Sequence, residues 1–205
     1  MTISDDTRTS LVDVLDEAFA RRHGAGTTLL RQADAIAHAA RAAAERFRAG
    51  GRLLAFGTGL AAADAQHVAV EFLHPVIVGT RALPALALTG DAPAPAAGRE
   101  AADPGEVFAA ALRVQGASRD IALGLSADGG CVSVTRGLQA ATGLGMLTIA
   151  LSGGAPGAAV PAAARHRIVV GHADVLPTRE ALVTAYHILW ELTHCFLGEA
   201  ARRAR

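Results

Sequence analysis

Apolar residues recur at two different spacings along the chain, and the change between them divides it in two. From Thr9 to Arg22 and from Thr27 to Arg48 they recur every three to four residues, the period of an amphipathic helix. From Arg52 onward, short apolar runs alternate with helical patterns and glycine-containing turns. This alternation predicts an α/β fold, a doubly wound parallel sheet flanked by helices and preceded by two N-terminal helices.

The second part contains runs with the length of buried strands, each separated from the next by a helical pattern or a loop. The predicted strands are Leu53–Phe56, Ala85–Thr89, Ile121–Leu125, Met146–Leu151 and Arg167–Val170. The predicted helices are Ala61–Leu73, Gly105–Gln115, Cys131–Ala141 and Thr178–Leu197. The proline- and alanine-rich segment from Ala92 to Asp103 is predicted to be a loop. We therefore expect one domain over residues 1–205, with a helical extension over about residues 9–48.

The stretch from Leu53 to Pro75 joins a predicted strand to a predicted helix through the turn Gly57-Thr58-Gly59. Such a turn leaves backbone N–H groups free beside the positive end of a helix dipole, and this suits an anion or a polar ligand. His67 and Glu71 lie four residues apart on the helix and therefore share a face. The stretch offers a ligand cradle and a proton-transfer pair side by side.

The same turn also matches the G-x-G-x-x-A pattern of dinucleotide-binding proteins, over residues 57–62. That fold requires an acidic residue about 20 positions further on, whereas Asp91, which follows the next strand, lies well past that distance. A long helical segment also precedes the turn, although the pattern normally opens its domain. These departures argue against a nicotinamide cofactor.

A second glycine turn follows the third predicted strand and has the sequence Ser126-Ala127-Asp128-Gly129-Gly130-Cys131. In a parallel sheet, ligands bind beyond the carboxyl ends of the strands, where both turns lie. Two such turns can hold one ligand between them, although glycines also occur in turns that bind nothing. His187 lies on the last predicted helix, where a histidine among apolar residues is more often a core residue than a catalyst. Glu191 and His194, on the same side of that helix, are expected on a solvated face.

Composition narrows the range of functions. Hydrophobic residues make up 51% of the chain and charged residues 19%, which is typical of a folded protein. The 19 basic residues balance 19 acidic ones, so neither nucleic acid nor an anionic membrane is expected as a partner. No apolar run reaches the roughly 18 residues of a membrane span, and the polar start predicts a cytoplasmic protein.

The sequence contains no lysine, which excludes Schiff-base chemistry. Cys131 and Cys195 are too few for a disulfide framework.

The two glycine turns and the last helix together resemble the sugar isomerase (SIS) domain, and within it the phosphoheptose isomerase (sedoheptulose 7-phosphate isomerase) subfamily. Three segments are the most specific part of this resemblance. They are Ala62-Ala63-Asp64-Ala65-Gln66-His67 with Glu71, Leu88-Thr89-Gly90-Asp91, and Thr184-Ala185-Tyr186-His187-Ile188-Leu189. The resemblance implies a flavodoxin-like, three-layer fold with a five-stranded parallel sheet. It also implies a homotetramer with active sites at subunit interfaces.

The resemblance implies roles for particular residues. The residue matching Glu71 is the base, and the residue matching His187 the acid, of an aldose–ketose isomerisation, which moves a proton between adjacent carbons. The residues matching His67, Glu71 and His187 also supply three zinc ligands. The substrate-binding positions fall on Gly57, Thr58, Gly59, Asp91, Ser126, Asp128, Gly129, Gly130, Cys131 and Arg179.

The departures from the family are concentrated in these substrate-binding positions. The family's phosphate loop reads Ser-Thr-Ser-Gly-Asn-Ser, whereas this chain keeps only the hydroxyl of Ser126 and gains the carboxylate of Asp128. That carboxylate either repels a phosphate, by about 4 kcal/mol per charge pair near a protein surface, or itself fills the anion site at the helix start. A metal-site glutamine falls on Arg179, which cannot ligate zinc and could instead pair with Glu71.

Two functions of different class remain open. The first is an isomerase-like enzyme acting on an altered sugar derivative, with Glu71 as base and His187 as acid. The second is a non-catalytic, tetrameric SIS protein that serves as a binding or scaffold module. We favour the first, and expect sedoheptulose 7-phosphate to bind weakly and zinc to be weakly bound or absent.

Overall fold

The computed structural model describes residues 5–75, 80–88, 103–154, 164–171 and 174–203. The helices in these ranges are α1 (Asp5–Leu30), α2 (Ala33–Arg48), α3 (Leu60–Leu73), α4 (Val107–Gln115), α5 (Val132–Gly143) and α6 (Val175–Arg203). The strands are β1 (Leu53–Gly57), β2 (Ala85–Leu88), β3 (Ile121–Ser126), β4 (Leu147–Ser152) and β5 (His166–Val169). A 3₁₀ turn, Pro104–Glu106, leads into α4.

The strands form one parallel sheet in the order β2-β1-β3-β4-β5. Leu53 in β1 is in register with Ala85 on one side and with Ile121 on the other. The chain thus runs outward from β1 in both directions, so the order reverses between β1 and β3. The turns that follow these two strands are neighbours at that reversal, the usual position of a ligand in such sheets.

Helices cover both faces of the sheet, as the predicted three-layer fold requires. On one face, the core includes Phe47 of α2, Phe72 of α3 and Trp190 of α6. On the other face, it includes Phe108 of α4 and Leu138 of α5. The central strands β1, β3 and β4 are buried along their whole length because both of their faces are covered.

The predicted break between the first two helices is misplaced. Helix α1 continues through Gly24 and Gly26 to Leu30, and the chain turns only at residues 31–32. Glycine weakens a helix by about 1 kcal/mol relative to alanine, and this favoured a break near these residues. Packing overrides that preference, since Ala25 is 0% exposed and Leu29 only 4%.

The last helix is longer at both ends than its predicted range, Thr178–Leu197. It begins at Val175, so Pro177 lies in its first turn, where the missing N–H of a proline leaves no hydrogen bond unmade. Helix α1 begins at Asp5, four residues before the predicted Thr9, and the remaining boundaries agree with the prediction to within two residues. Thr89 and all of the predicted loop except Asp103 lie outside the described residues. None of the described helices combines the length and apolar character that a bilayer-spanning helix needs.

Candidate active site

Helices α3 and α6 lie side by side, and polar side chains pair across them at successive turns. Asp64 of α3 contacts Arg179 of α6. Further along the two helices, His67 contacts Tyr186, and Glu71 lies next to His187. The i, i+3 and i+7 spacing of the α3 residues places all three on one face.

The cluster of His67, Glu71 and His187 combines a carboxylate with two imidazoles. Glu71 Oε1 lies 3.1 Å from His67 Nε2 and 3.9 Å from His187 Nε2. The His67 and His187 side chains are 44% and 40% exposed, whereas Glu71 is only 18% exposed. The carboxylate is thus partly shielded while both imidazoles remain open to a small molecule. The structure brings together all three residues predicted to form the acid–base and metal-binding group.

Tyr186 lies behind this cluster and contacts both histidines. It is 1% exposed, and its hydroxyl lies 2.8 Å from His67 Nδ1. Its ring meets the rings of His67 and His187 edge to face, with centroids 5.4 Å and 4.9 Å away. Burial raises the pKa of Tyr186 above its usual range, and the nearby Asp64 carboxylate adds to the effect. The phenol is therefore neutral near pH 7.

Arg179 does not pair with Glu71, the partner considered from sequence. Its guanidinium makes two hydrogen bonds to Asp64, from Nε to Oδ2 and from Nη2 to Oδ1, both 2.9 Å long. The Asp64 side chain is 8% exposed and that of Arg179 is 32% exposed. Asp64 therefore balances the positive charge that argued against a cation at the neighbouring cluster.

The second glycine turn is closed by its own carboxylate. Asp128 Oδ1 accepts hydrogen bonds from the Ser126 hydroxyl, at 2.8 Å, and from the Gly130 N–H, at 3.1 Å. These hydrogen bonds, that of Gly130 first, lower the pKa of Asp128, so the group is ionised near pH 7. The side chain thus occupies donors that an anionic ligand would need, as one of the two interpretations of Asp128 expected.

Cys131 connects the two turns. Its Sγ lies 3.2 Å from Thr58 Oγ1 in the first turn and 3.2 Å from Ser133 Oγ in α5. Burial alone would raise the pKa of the Cys131 thiol, but hydrogen bonds from Ser133, Thr58 and backbone N–H groups lower it overall. Gly59, in the first turn, has a φ of +58°, a conformation that favours glycine.

A cavity of about 210 Å³ lies between the turns, as the pairing of glycine turns predicted. Residues of both turns and the start of α6 line it: Thr58, Leu60, Ala61, Ser126, Ala127, Asp128, Cys131 and Val175. Neither Gly129, at a φ of +76°, nor Gly130 is among these lining residues. Asp91, also predicted to bind substrate, lies outside the described residues.

The cavity and the acid–base cluster are not side by side within one chain, contrary to expectation. Ala61 lines the cavity, and Glu71 follows it ten residues later on the same helix. At 1.5 Å per residue, the two positions are about 15 Å apart along the helix axis. The cavity and the cluster both involve one short stretch of sequence, but this stretch forms α3, and they lie near its opposite ends.

Comparison with known proteins identifies the fold family. The SIS domain family matches residues 25–153, more than half of the chain. The chain belongs to the SIS domain family. Among curated relatives, the phosphoheptose isomerase of Chlorobaculum parvum is 38% identical over 176 residues, which cover 85% of this chain and 84% of the relative. The phosphoheptose isomerase of Roseiflexus sp. is 33% identical and covers 91% of this chain and 94% of its own length.

Solved structures agree with this membership. A phosphoheptose isomerase from Neisseria gonorrhoeae is similar with a TM-score of 0.76 at 26% identity, over 91% of this SIS chain and 98% of that one. A phosphoheptose isomerase from Francisella tularensis has the same fold, with a TM-score of 0.78 at 24% identity, over 90% and 97% of the two chains. The five-stranded parallel sheet, its flanking helices and the two N-terminal helices predicted for the SIS fold are thus confirmed.

The cluster also fits the metal site that the SIS resemblance implies. His67, Glu71 and His187 each offer one ligand atom, and these atoms lie within 4.8 Å of one another. Two nitrogens and one carboxylate oxygen suit zinc, and three protein ligands leave a position open for water or substrate. The arrangement of these three ligand atoms therefore suits a metal ion.

Sequence reasoning overlooked two side chains of this SIS site, and it misplaced His194 on the same helix as one of them. Tyr186 was noted only as the neighbour of His187, and Asp64 only as part of a motif. Their spacing on α3 and α6 could have suggested shared faces, but only the packing of the two helices shows the pairs. His194 was expected on a solvated face, but its ring packs against Trp190, with centroids 4.7 Å apart. Burial lowers the pKa of His194.

Proposed function

We propose that this SIS protein catalyses an aldose–ketose isomerisation of a sugar derivative, with Glu71 as base and His187 as acid. The observation that carries the proposal is the position of Glu71 Oε1, 3.1 Å from one imidazole nitrogen and 3.9 Å from another. A carboxylate next to an exposed imidazole supplies the two proton-transfer groups that this reaction needs. The names of the curated relatives, all phosphoheptose isomerases in the cases cited, support the same reaction class.

The reaction needs four proton transfers, two from the sugar to the protein and two from the protein to the sugar. Glu71 removes the proton from the carbon next to the carbonyl, while His187 gives a proton to the carbonyl oxygen, and an enediol results. Glu71 then returns its proton to the adjacent carbon as His187 recovers one from the other hydroxyl. Substrate and product have the same atoms, so no oxidant or reductant is consumed. A zinc ion held by His67, Glu71 and His187 would polarise the sugar oxygens.

The state of the second turn supports a substrate without a phosphate dianion at this position. Asp128 is negatively charged and already receives the Ser126 hydroxyl and the Gly130 N–H. A phosphate there would lose these donors and meet a like charge, at a cost of about 4 kcal/mol for a pair 4 Å apart near the surface. We therefore propose that the cavity between the turns receives a neutral or cationic group, such as a hydroxyl or an amine of the sugar derivative.

The separation of the cavity from the cluster supports a shared site and, with it, a homotetramer. About 15 Å of helix lies between them in one chain, more than a single sugar spans. A substrate that contacts both a glycine turn and Glu71 must therefore receive one of them from another subunit. Helix α1 has exposed apolar side chains that suit such an assembly, including Val14 at 60% and Phe19 at 68% exposure.

A second candidate function is a non-catalytic binding or scaffold role for the same assembly. The observation that favours it is again Asp128, because a loop filled by its own side chain needs no ligand to satisfy its donors. The two candidates differ in what Glu71 must do. Only the isomerase requires it to exchange a proton with a sugar.

The test follows solvent-derived deuterium into the sugar. Wild-type protein is incubated in D₂O with a panel of neutral, amino and phosphorylated aldoses and ketoses, and exchange at the carbons next to the carbonyl is measured by NMR. The proposal expects exchange with at least one member and a loss of a hundredfold or more in the Glu71→Gln and His187→Gln variants. Glu191→Gln is the matched control, since Glu191 is an exposed carboxylate on α6. Exchange that persists in Glu71→Gln would refute the proposal, and no exchange with any sugar would favour the scaffold.

A further inference from the structure

The contact between Tyr186 and His67 lies outside the roles assigned so far. The Tyr186 hydroxyl is 2.8 Å from His67 Nδ1, and the residue is 1% exposed. On its other side, His67 Nε2 lies 3.1 Å from Glu71 Oε1. The imidazole is thus held at both nitrogens, by a phenol from α6 and by a carboxylate from its own helix.

The direction of the first hydrogen bond decides which nitrogen of His67 carries the proton. A neutral phenol has one O–H to donate. Among the hydrogen bonds of the described residues, His67 Nδ1 is the only acceptor that this hydroxyl meets. A buried O–H without an acceptor is costly, so Tyr186 donates and Nδ1 accepts.

We propose that Tyr186 is a positioning residue that holds neutral His67 in the tautomer with its proton on Nε2. The Nε2–H is then donated to Glu71 Oε1, so two hydrogen bonds run in one direction from the buried phenol to the carboxylate. This arrangement fixes the His67 ring and orients the Glu71 carboxylate. The consequence for Glu71 as a base rests on the proposed function, whereas the tautomer of His67 does not.

The same tautomer opposes metal binding at the cluster. A metal ligand must offer a lone pair, so Nε2 can bind zinc only after its proton has moved to Nδ1. Tyr186 would then accept from Nδ1, and its own O–H would lose its acceptor. Without the hydroxyl this penalty disappears, so Tyr186→Phe is expected to bind Zn²⁺ about tenfold more tightly than wild type. A phenol that instead supports the metal ligand from behind would give the opposite change.

Two measurements on the full chain test the proposal without any substrate. Imidazole ¹⁵N NMR of metal-free protein near pH 8, where histidines are neutral, reports which nitrogen of His67 is protonated. A His67→Gln spectrum assigns the signals. Zn²⁺ titration by calorimetry then compares wild type with Tyr186→Phe. Thr193→Val is the matched control, because Thr193 is a buried hydroxyl on α6 that bonds only to the Leu189 carbonyl among the described contacts.

The expected result is a proton on Nε2 in wild type, a mixture of tautomers in Tyr186→Phe, and tighter Zn²⁺ binding in that variant alone. A wild-type proton on Nδ1 would overturn the proposal, as would Zn²⁺ binding that is unchanged or weaker in Tyr186→Phe. If the variant fails to fold, the wild-type spectrum decides alone. Neither readout depends on turnover, so this result stands even if the wild-type protein shows no deuterium exchange with any sugar.

Discussion

Asp128 occupies hydrogen-bond donors of the second glycine turn with its own side chain. Its carboxylate takes the Ser126 hydroxyl and the Gly130 N–H at 2.8 Å and 3.1 Å, and thereby satisfies the loop from within. The Gly130 N–H, which could otherwise receive an anionic ligand, is thus already bound to a carboxylate of the same turn. We therefore expect the charge of Asp128 to disfavour phosphorylated ligands relative to neutral ones.

An Asp128→Ser variant is expected to bind a sugar phosphate at least tenfold more tightly than wild type. The substitution removes a like charge and frees the Gly130 N–H, and removing one surface charge repulsion is worth about 1 to 4 kcal/mol at 4 Å. Calorimetry with sedoheptulose 7-phosphate measures the change. Asp34→Asn removes a charge from the start of α2 and is expected to leave the affinity unaltered. Micromolar affinity in wild type would show that the internal hydrogen bonds give way to phosphate.

The sequence predicted which candidate residues would lie on a shared helix face better than it predicted contacts between helices. His67 and Glu71 were paired correctly because residues four apart on a helix are neighbours whatever surrounds them. Arg179 could not be paired correctly, since Asp64 lies 115 positions earlier and both Asp64 and Glu71 are on the facing side of α3. The prediction for His194 was wrong for the same reason. Its ring contacts Trp190 on its own helix and Phe72 on α3.

At the scale of elements, the pair Asp64–Arg179 joins α6 to α3, the two helices that carry His187 and Glu71. Strands were predicted to within a residue or two because apolar runs bounded by glycine or polar residues leave few alternatives. The α1 break was not, because the burial of Ala25 depends on another element. Features that depend on local sequence patterns were predictable, whereas features that depend on the packing of one helix against another element were not.

The Arg179→Ala substitution is expected to lower the free energy of unfolding by about 2 kcal/mol. The reason is that it leaves the buried Asp64 carboxylate without its partner. The double variant Asp64→Ala/Arg179→Ala should regain part of this loss. Urea unfolding measures both. The exposed pair Arg22–Glu180 provides the control, since Arg22→Ala is expected to cost less than about 1 kcal/mol. An equal loss in the control would mean that burial of Asp64 is irrelevant.

At the scale of the whole molecule, the apolar face of α1 and the divided site lead to the same expectation. Leu11, Val14, Leu15 and Phe19 are each more than half exposed in the isolated chain. If one substrate contacts both a glycine turn and the acid–base cluster, as we propose, a second subunit must supply one of them. Assembly and activity are therefore expected to be lost together.

The expected mass in solution is about four times 20.9 kDa, measured by light scattering. A Val14→Glu/Phe19→Glu variant should give smaller species and lose turnover, because a charge cannot be buried in an apolar interface without a partner. Val114→Glu, at a position 86% exposed on α4, should keep both mass and turnover. A wild-type monomer would reject the shared site.

Helix α6 follows all five strands in chain order, yet it carries Arg179, Tyr186 and His187. During synthesis, or in refolding, the sheet can therefore form before the site exists, since every cross-helix contact of the cluster waits for α6 to dock. The chain's single tryptophan, Trp190, lies on that helix and is buried only in the docked state. The fluorescence of Trp190 would report when α6 docks and the site forms, while circular dichroism would report when the helices and the sheet form.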